Sequence, residues 1–523
     1  MPVVDIQPLR YNNQIVIYLS VDIRIYKECT AERWIMHILF FQWYAFMQKG
    51  IEKALKKLNI SYDVFYYDMK EWDEDAELER RLMEHLKNSK VKYDCIFSVN
   101  FIPMLSEVCV RYNNSIGAEN MRYNGDIVSM SAMCDRHKDN NGLMDYTYSA
   151  DNNGLMNYNC SADAGEKCVN DKFPECNKIK YISWVYDCPV NIRRTESLKN
   201  DCNIIYFFDR IQSESYRKQG VNGARHMPLA VDTDVFAEVI DNYNGAIDNY
   251  NGTIDNCDSV IDSYNGAIDK YSGAIDKYNV VTDNYNNELY DCDVALVGKL
   301  YKSDYQYIAQ YQDDYTRGYL EGIVSTQGKI YGGYVIDDCM NDSVMKRINE
   351  NFARVSDGKY SVIKPEVTYA LATEVTGRER YTALALLQNR CKVNLYSTDK
   401  DDRLPGINQC GPVDYYNQMP LAFDRAKINL NISLKVIQSG IPLRVFDVLG
   451  CGGFLITNYQ HEIAECFEDG RELVIYEDIP DLITKVEYYL KHDDERRKIA
   501  MNGYEKVRSE CTFERRMRGI LEL

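Results

Sequence analysis

Apolar residues along this chain fall into short runs separated by longer amphipathic stretches, and the alternation comes in two blocks. In the first block, apolar runs at 37–41, 63–67 and 94–99 predict strands, and 44–58, 73–88 and 101–111 carry apolar residues at helical spacing. The pattern resumes with strands at 180–185 and 203–208, a helix at 210–219 and a strand around 224–228. The second block opens with a strand at 293–297, followed by a long helix at 369–389 and a strand at 392–396. It closes with two helices, 479–490 and 494–508, whose outer faces are charged. Strands alternating with single helices predict parallel sheets built from βαβ units, here in two domains. Ahead of both blocks, residues 1–35 hold one strand-like run, 14–19.

Two stretches break the pattern. Residues 112–178 are rich in Asn, Gly, Asp and Ser and contain a near-repeat, Asp139-Asn-Asn-Gly-Leu-Met and Asp151-Asn-Asn-Gly-Leu-Met. Such a composition buries too little apolar surface to offset the entropy of ordering it. Residues 240–288 repeat every seven residues from Ile240, with echoes at Ile247, Ile254, Ile261, Ile268 and Ile275 and a fainter one at Thr282. Each unit offers a single β-branched residue and often an Asn-Gly pair, which disfavours a helix and a coiled-coil seam alike. Both stretches read as low-complexity inserts, the second as a disordered linker between domains.

Within the second block, 439–477 is the most informative stretch. Six of the eight residues Pro442-Leu443-Arg444-Val445-Phe446-Asp447-Val448-Leu449 are apolar, so a helix here is buried almost all round. Arg444 and Asp447, three apart, share its one polar strip. Pro442 suits the first turn and Gly450 the position just past the end. Gly450-Cys451-Gly452-Gly453 then leads into an apolar strand, Phe454-Leu455-Ile456-Thr457.

Composition narrows the function. A formal net charge of -18 argues against nucleic acid and against an anionic membrane surface as partners. The longest apolar candidate, 35–47, is too short to span a bilayer and is interrupted by His37 and Gln42, so a cytoplasmic protein is expected. The 17 cysteines form no C-x-x-C pair and read as buried or idle thiols. The 6 histidines lack zinc spacing, so no metal and no bound cofactor are expected.

The stretch GIPLRVFDVLGCGGFLITNYQHEIAECFEDGRELVIYED resembles the donor-binding half of GT-B glycosyltransferases, in particular the CgeB-like (spore maturation protein) group. Upstream, MHILFFQWYAFMQKGIEKAL, CIFSVNFIPMLSEVC, KYISWVYDCPV and CNIIYFFDR resemble the N-terminal domain that accompanies it. The likeness implies an α/β GT-B fold: two facing Rossmann-like domains with parallel sheets, interrupted by the two inserts. On that reading 1–35 is an extension, 36–236 the acceptor-side domain, 237–290 the linker and 291–523 the donor-binding domain. In related retaining families an E-x7-E helix precedes a small-Cys-Gly turn; Asp447 takes the second acidic position and Ser439 stands at the first.

The implied activity is transfer of a sugar from a nucleotide diphosphate-sugar to a glycan, a protein or a cell- or spore-surface precursor. Ligands of open parallel sheets bind at the carboxyl ends of the strands. That rule points to the loops 298–302, 396–399, 433–442 and 458–462, and hence to Asn458 among the donor residues. The resemblance assigns Gly298 to close backbone approach, Lys299 or Lys302 to the diphosphate, Asp447 to the ribose and Glu462 to the sugar. Arg444 adds a guanidinium fork suited to a diphosphate. Each has a plainer alternative: surface lysines, a self-neutralising Arg444–Asp447 pair, a helix-start Glu462. Asp187, at the end of a strand, is the candidate general base should the reaction invert, although an Asp before Cys-Pro also suits a turn. Two further readings stay open: a nucleotide-sugar 2-epimerase on the same fold, and a non-catalytic surface-associated protein.

Overall fold

The computed structural model describes residues 9–11, 14–16, 36–43, 45, 47–68, 74–116, 178–188, 195–254 and 290–523. A short antiparallel hairpin, β1 (Leu9–Tyr11) and β2 (Gln14–Val16), precedes the first sheet. That sheet is built from β3 (His37–Gln42), β4 (Ser61–Tyr66), β5 (Cys95–Val99), β6 (Lys180–Val185), β7 (Asn203–Phe207) and β8 (Ala224–His226). Its order is β4-β3-β5-β6-β7-β8, parallel throughout. Ile38, Leu39, Phe40 and Phe41 are all fully buried, as expected for a strand covered on both faces rather than one.

The second sheet takes β9 (Cys292–Val297), β10 (Val393–Tyr396), β11 (Asn408–Gln409), β12 (Ala426–Asn431), β13 (Leu455–Asn458) and β14 (Val474–Tyr476). Its order is β11-β10-β9-β12-β13-β14, again all parallel. Two six-stranded parallel α/β sheets are the architecture expected of a GT-B fold.

Several boundaries differ from the sequence expectation. Residues 103–116 are helical, so this helix runs into the first insert. The Asn113 side chain then pairs with both backbone groups of Ile179, at 2.9 Å each, tying the point of departure to the point of return. The expected helix-free linker begins as a helix, Thr233–Ile254. Phe236 is buried and Val239, Ile240 and Tyr243 pack on the same core. Tertiary packing of this seam overrides the poor helix propensity of the first heptads. The later heptads lie outside the described residues, as do 117–177.

Four helices that the hydrophobic pattern does not predict, Tyr305–Gln310, Asp314–Gln327, Ile336–Cys339 and Asp342–Ser356, stand between β9 and the long helix Lys364–Leu387. They share a core, including Leu320, Ile323, Ile348 and Phe352, with Val367 and Leu371 of that helix and with Val436.

The two domains are tied together by the Phe513–Ile520 helix, which returns to the first domain and packs on the Gln48–Lys57 helix. A Cβ at Gly50 would lie 2.5 Å from the Phe513 ring, so only glycine permits this approach. Trp184 meets Phe513 edge-on at 6.0 Å, the Tyr206 hydroxyl donates to the Ile520 carbonyl at 3.1 Å, and Val231 bridges to Thr512.

Candidate active site

The carboxyl edges of the two sheets face each other. Just past β6, the Cys188 thiol donates to the Val436 carbonyl beyond β12 at 3.3 Å. Just past β7, one carboxylate oxygen of Asp209 accepts the backbone N–H groups of Gln438, Ser439 and Gly440 at 2.7, 2.9 and 3.0 Å. Its other oxygen takes the Gln212 N–H at 2.8 Å, capping the Arg210–Lys218 helix. Asp209 is fully buried. One side chain thus starts a helix in one domain and fastens a loop of the other.

Asp187 stands at the same edge, just past β6, and is exposed. The Asn100 amide donates to its Oδ2 at 2.7 Å, and the Asn100 carbonyl oxygen accepts the Tyr186 N–H at 3.0 Å. Asn100 adopts a left-handed backbone, φ 62°, to make both contacts. Although Asp187 is accessible, the protein atoms crowded round it raise its carboxyl above the ordinary range, and the Asn100 hydrogen bond offsets this only in part.

The opposite wall is cationic. Gly298 follows β9 with φ +150°, a conformation that favours glycine, and a Cβ there would lie 3.1 Å from Arg380. Arg380 is buried beneath this turn and donates to the carbonyls of Lys299 and Ile432, which join the ends of β9 and β12. Its guanidinium lies under the Tyr301 ring at 4.8 Å. Lys435, also buried, pairs with Glu379 at 3.1 Å and lies 4.2 Å from the centre of the Tyr331 ring. Glu379 is fixed by the Tyr331 and Tyr476 hydroxyls at 2.8 and 2.9 Å. Lys299 and Lys302 are exposed at the rim. Sequence reasoning selected the loops holding Lys299, Lys302 and Lys435 but named only the first two; a lysine four residues past the end of a buried strand was the available signal. Arg380, mid-helix, offered none.

The Leu443–Gly450 helix begins after Pro442, and Gly452, at φ +73°, rather than Gly450, supplies the left-handed residue. Gly450, its last residue, serves close approach instead: a Cβ there would meet Val231 of the other domain at 2.5 Å. Arg444 is 29% exposed and pairs with Asp447 at 2.9 Å. Asp447 is fully buried, and its second oxygen accepts the Tyr415 hydroxyl at 2.7 Å. Both oxygens are therefore engaged within the fold, and ribose contact would require Tyr415 or Arg444 to let go.

Burial pushes the Asp447 carboxyl up to about 6, against the opposing pull of Arg444 and Tyr415. Since its folded value lies above its unfolded one, the native state binds the extra proton between about pH 4 and 6. Stability is then lost, not gained, as pH rises through that window, by about 3 kcal/mol in total. The Asp447→Asn variant should lack this slope, gaining on the parent chain as pH rises from 4 to 7 in urea titrations. A pH-independent difference between the two would contradict the burial argument.

The side chains of Asn458 and Glu462 are buried and held by the protein itself. Asn458 is 2% exposed; its carbonyl oxygen accepts the Ser433 N–H at 2.7 Å and its amide donates to the Tyr459 carbonyl at 3.1 Å, joining the ends of β12 and β13. Glu462 is equally buried and spans the domains. One oxygen accepts the Ser439 hydroxyl at 2.7 Å and the Arg210 N–H at 2.9 Å, and the other pairs with His226 at 2.8 Å. Burial raises its carboxyl, but His226, Ser439 and Arg210 together outweigh that and hold it below the usual range. Ser439 thus belongs to a domain clasp. Asp209, its main partner, was not singled out from the sequence, although Phe207-Phe208-Asp209 ends a strand as Asp187 does.

Arg380, Lys435, Arg444, Asp447, Asn458 and Glu462 all fall in one contiguous part of the chain. Residues 378–522 match the family model described as glycosyl transferase-like. This glycosyl transferase-like segment carries most of the cationic wall, whereas Gly298, Lys299, Lys302 and Asp187 lie outside it. No curated protein matches the chain.

Among solved structures, the chain is similar to a glycosyltransferase from Rickettsia africae ESF-5, at 10% identity over 93% of this chain and 97% of that one (TM-score 0.38). It is also similar to Alr3699/HepE from Anabaena, solved in complex with UDP-glucose, at 10% identity over 93% and 98% (TM-score 0.37). A third is the alpha,alpha-trehalose 6-phosphate synthase from Burkholderia multivorans, at 9% identity over 93% and 97% (TM-score 0.40). Among the described residues, no helix is long and apolar enough to cross a membrane, and no three His, Cys, Asp or Glu side chains group so as to hold a metal ion.

Proposed function

We propose that this chain is a glycosyltransferase that takes its sugar from a nucleotide diphosphate-sugar. The observation that carries this reading is the pairing of walls across the cleft: Asp187, accessible and raised, on one domain, and Arg380, Lys435 and Arg444 on the glycosyl transferase-like segment of the other. Glu379 and Asp447 accompany these three cations, which leaves a positive excess on a chain whose net charge is -18. Such a site suits a diphosphate.

Asp187 then takes the proton from the acceptor hydroxyl. The freed oxygen forms the bond to the anomeric carbon, and the bond from that carbon to the diphosphate breaks, the electron pair leaving with the nucleoside diphosphate. Arg444, Lys299 and Lys302 steady the leaving group as its charge grows. On this reading the enzyme is cytoplasmic, needs no metal and belongs with the CgeB-like proteins, acting on a surface precursor.

A non-catalytic role is favoured by one observation: Asp447 is wholly engaged by Arg444 and Tyr415. Thermal shift decides between the two readings. UDP, GDP, dTDP, ADP and their sugar conjugates at millimolar concentration should include one that raises the melting temperature, because a ligand of the native state stabilises it by mass action. Arg444→Ala should weaken that ligand about 10- to 100-fold. No shift with any nucleotide would favour the non-catalytic role. Turnover without an acceptor to an isomerised sugar would instead indicate a 2-epimerase.

A further inference from the structure

The chain crosses between its domains twice. It leaves after β8 into the Thr233–Ile254 helix, which packs on the Met419–Arg425 helix of the second domain, and it returns just ahead of the Phe513–Ile520 helix. The two crossings run side by side: Val231 and Thr512 pair as a parallel bridge, and the Val231 N–H donates to the Cys511 carbonyl at 3.0 Å. At this junction lies a cavity of about 640 Å³. The first domain lines it with one face of the Gln48–Lys57 helix, where Gly50, Lys53, Ala54 and Lys57 follow at helical spacing. The last turn of the Asp493–Glu510 helix adds Arg508, and the Phe513–Ile520 helix adds Arg515 and Arg518. None of these side chains belongs to either wall of the cleft.

The cavity gathers five cations against three carboxylates, on a chain whose net charge is -18. The carboxylates are taken up within the fold. Lys53 reaches Asp232 at 2.8 Å and Asp234 at 3.3 Å, and Lys57 reaches Asp234 at 3.6 Å. Glu514 pairs with Arg518 at 3.2 Å. Two arginines are left over. Arg508 meets only Glu505 of its own helix, at 3.7 Å and outside the cavity. Arg515 is exposed, and its side chain has no ion-pair partner among the described residues. The Thr512 hydroxyl accepts the Arg515 N–H at 3.3 Å and so fixes the turn that presents it. The next residue, Arg516, is instead spent on the Leu229 carbonyl at 3.1 Å.

We infer that this cavity is a second ligand site, for a small hydroxylated phosphate ester held between the two domains where the chain crosses. Two unspent guanidinium forks match the oxygens of a phosphate, and the lysines opposite add positive charge. The cavity is far larger than a phosphate ion and of the size of small-molecule sites, so the ligand carries a further group. Asp232 and Asp234 suit hydroxyls on that group, because a carboxylate accepts their protons. A nucleic acid or an anionic bilayer is disfavoured by the net charge of the chain. The site does not depend on the glycosyltransferase reading.

Isothermal titration calorimetry on the full chain tests this, with glycerol 3-phosphate, ribose 5-phosphate and fructose 1,6-bisphosphate as probes and inorganic phosphate, glycerol and fructose beside them. At least one ester should bind, more tightly than inorganic phosphate or the neutral polyols, and its affinity should fall as salt rises. Arg515→Ala should weaken it about tenfold, and Arg508→Ala combined with Arg515→Ala about 100-fold. Both arginines are exposed, so these variants should fold as the parent chain does. Arg444→Ala should leave ester binding unchanged, and the thermal shift given by nucleotides should persist in Arg515→Ala. No binding of any ester at about 10 mM would overturn the inference, as would an affinity that the double variant does not change. Esters that bind no better than inorganic phosphate would reduce the cavity to an ion site. Ester binding lost in Arg444→Ala would move the ligand to the cleft and remove this site.

Discussion

Replacing Asp187 by Asn is expected to lower the rate of sugar transfer by about 10²- to 10⁴-fold while leaving the nucleotide-induced thermal shift in place. Asparagine has the same shape and keeps an oxygen for the Asn100 amide, so the contact at 2.7 Å survives. What is lost is the capacity to take a proton. The side chain is exposed, so little stability depends on it. The pH profile adds a second readout. Crowding raises this carboxyl, so it becomes a competent base only above the usual carboxylate range. The parent rate should therefore climb with pH through that raised value and then level, and the climb should vanish in the variant. A variant with undiminished turnover, or with the same acidic limb, would remove Asp187 from the chemistry.

The second large effect is on the assembly of the cleft. Asp209→Ala should destabilise the chain by at least about 3 kcal/mol, because it strands the N–H groups of Gln438, Ser439 and Gly440 away from water. Asp209→Asn should do nearly as badly, since its amide would present hydrogens to donors. Hydrogen exchange locates the damage: the amides of Gln438, Ser439 and Gly440 should lose protection well before those of β12 and β13. Protection at these three amides that matches the parent chain would mean that Asp209 does not hold them.

Much of the fold was legible because it follows from periodicity. Short apolar runs separated by amphipathic stretches admit few arrangements other than parallel βαβ units, and all ten strands expected from sequence coincide with or overlap those observed. The helices between 305 and 356 were not, because Asp, Asn and Tyr interrupt their apolar faces; their start signals are caps such as Asp313 and Asn341, which look like turn residues until the partner N–H is known. The helix Thr233–Ile254 defied its composition because Phe236 and its neighbours found a core to pack on.

The candidate site was legible only as far as strand ends are. Asp187, Lys299 and Lys302, expected at strand ends, are exposed just past β6 and β9, and Arg444 is partly exposed in the first turn of its helix. Asn458 and Glu462 were selected by the same reasoning, yet their side chains are consumed by Ser433 and Tyr459 in one case and by Ser439, Arg210 and His226 in the other. Position along the chain gives the loop; the direction of a side chain depends on partners hundreds of residues away. Arg380 is the reverse case, hidden inside a helix whose sequence gives no hint that Gly298 will rest on it.

The return of the Phe513–Ile520 helix to the first domain sets a clock on biosynthesis. β8 completes the first sheet, but the helix that covers Trp184 and meets Gly50 is encoded roughly 290 residues later, about 15–60 s of translation at ordinary ribosome speeds. Throughout that interval the first domain has a finished sheet and an uncovered apolar flank. It cannot mature as an independent unit ahead of the second, as most N-terminal domains do. The two halves of the cleft are therefore completed together, in one late event, and a nascent chain stalled within the second domain would present that flank to any chaperone within reach.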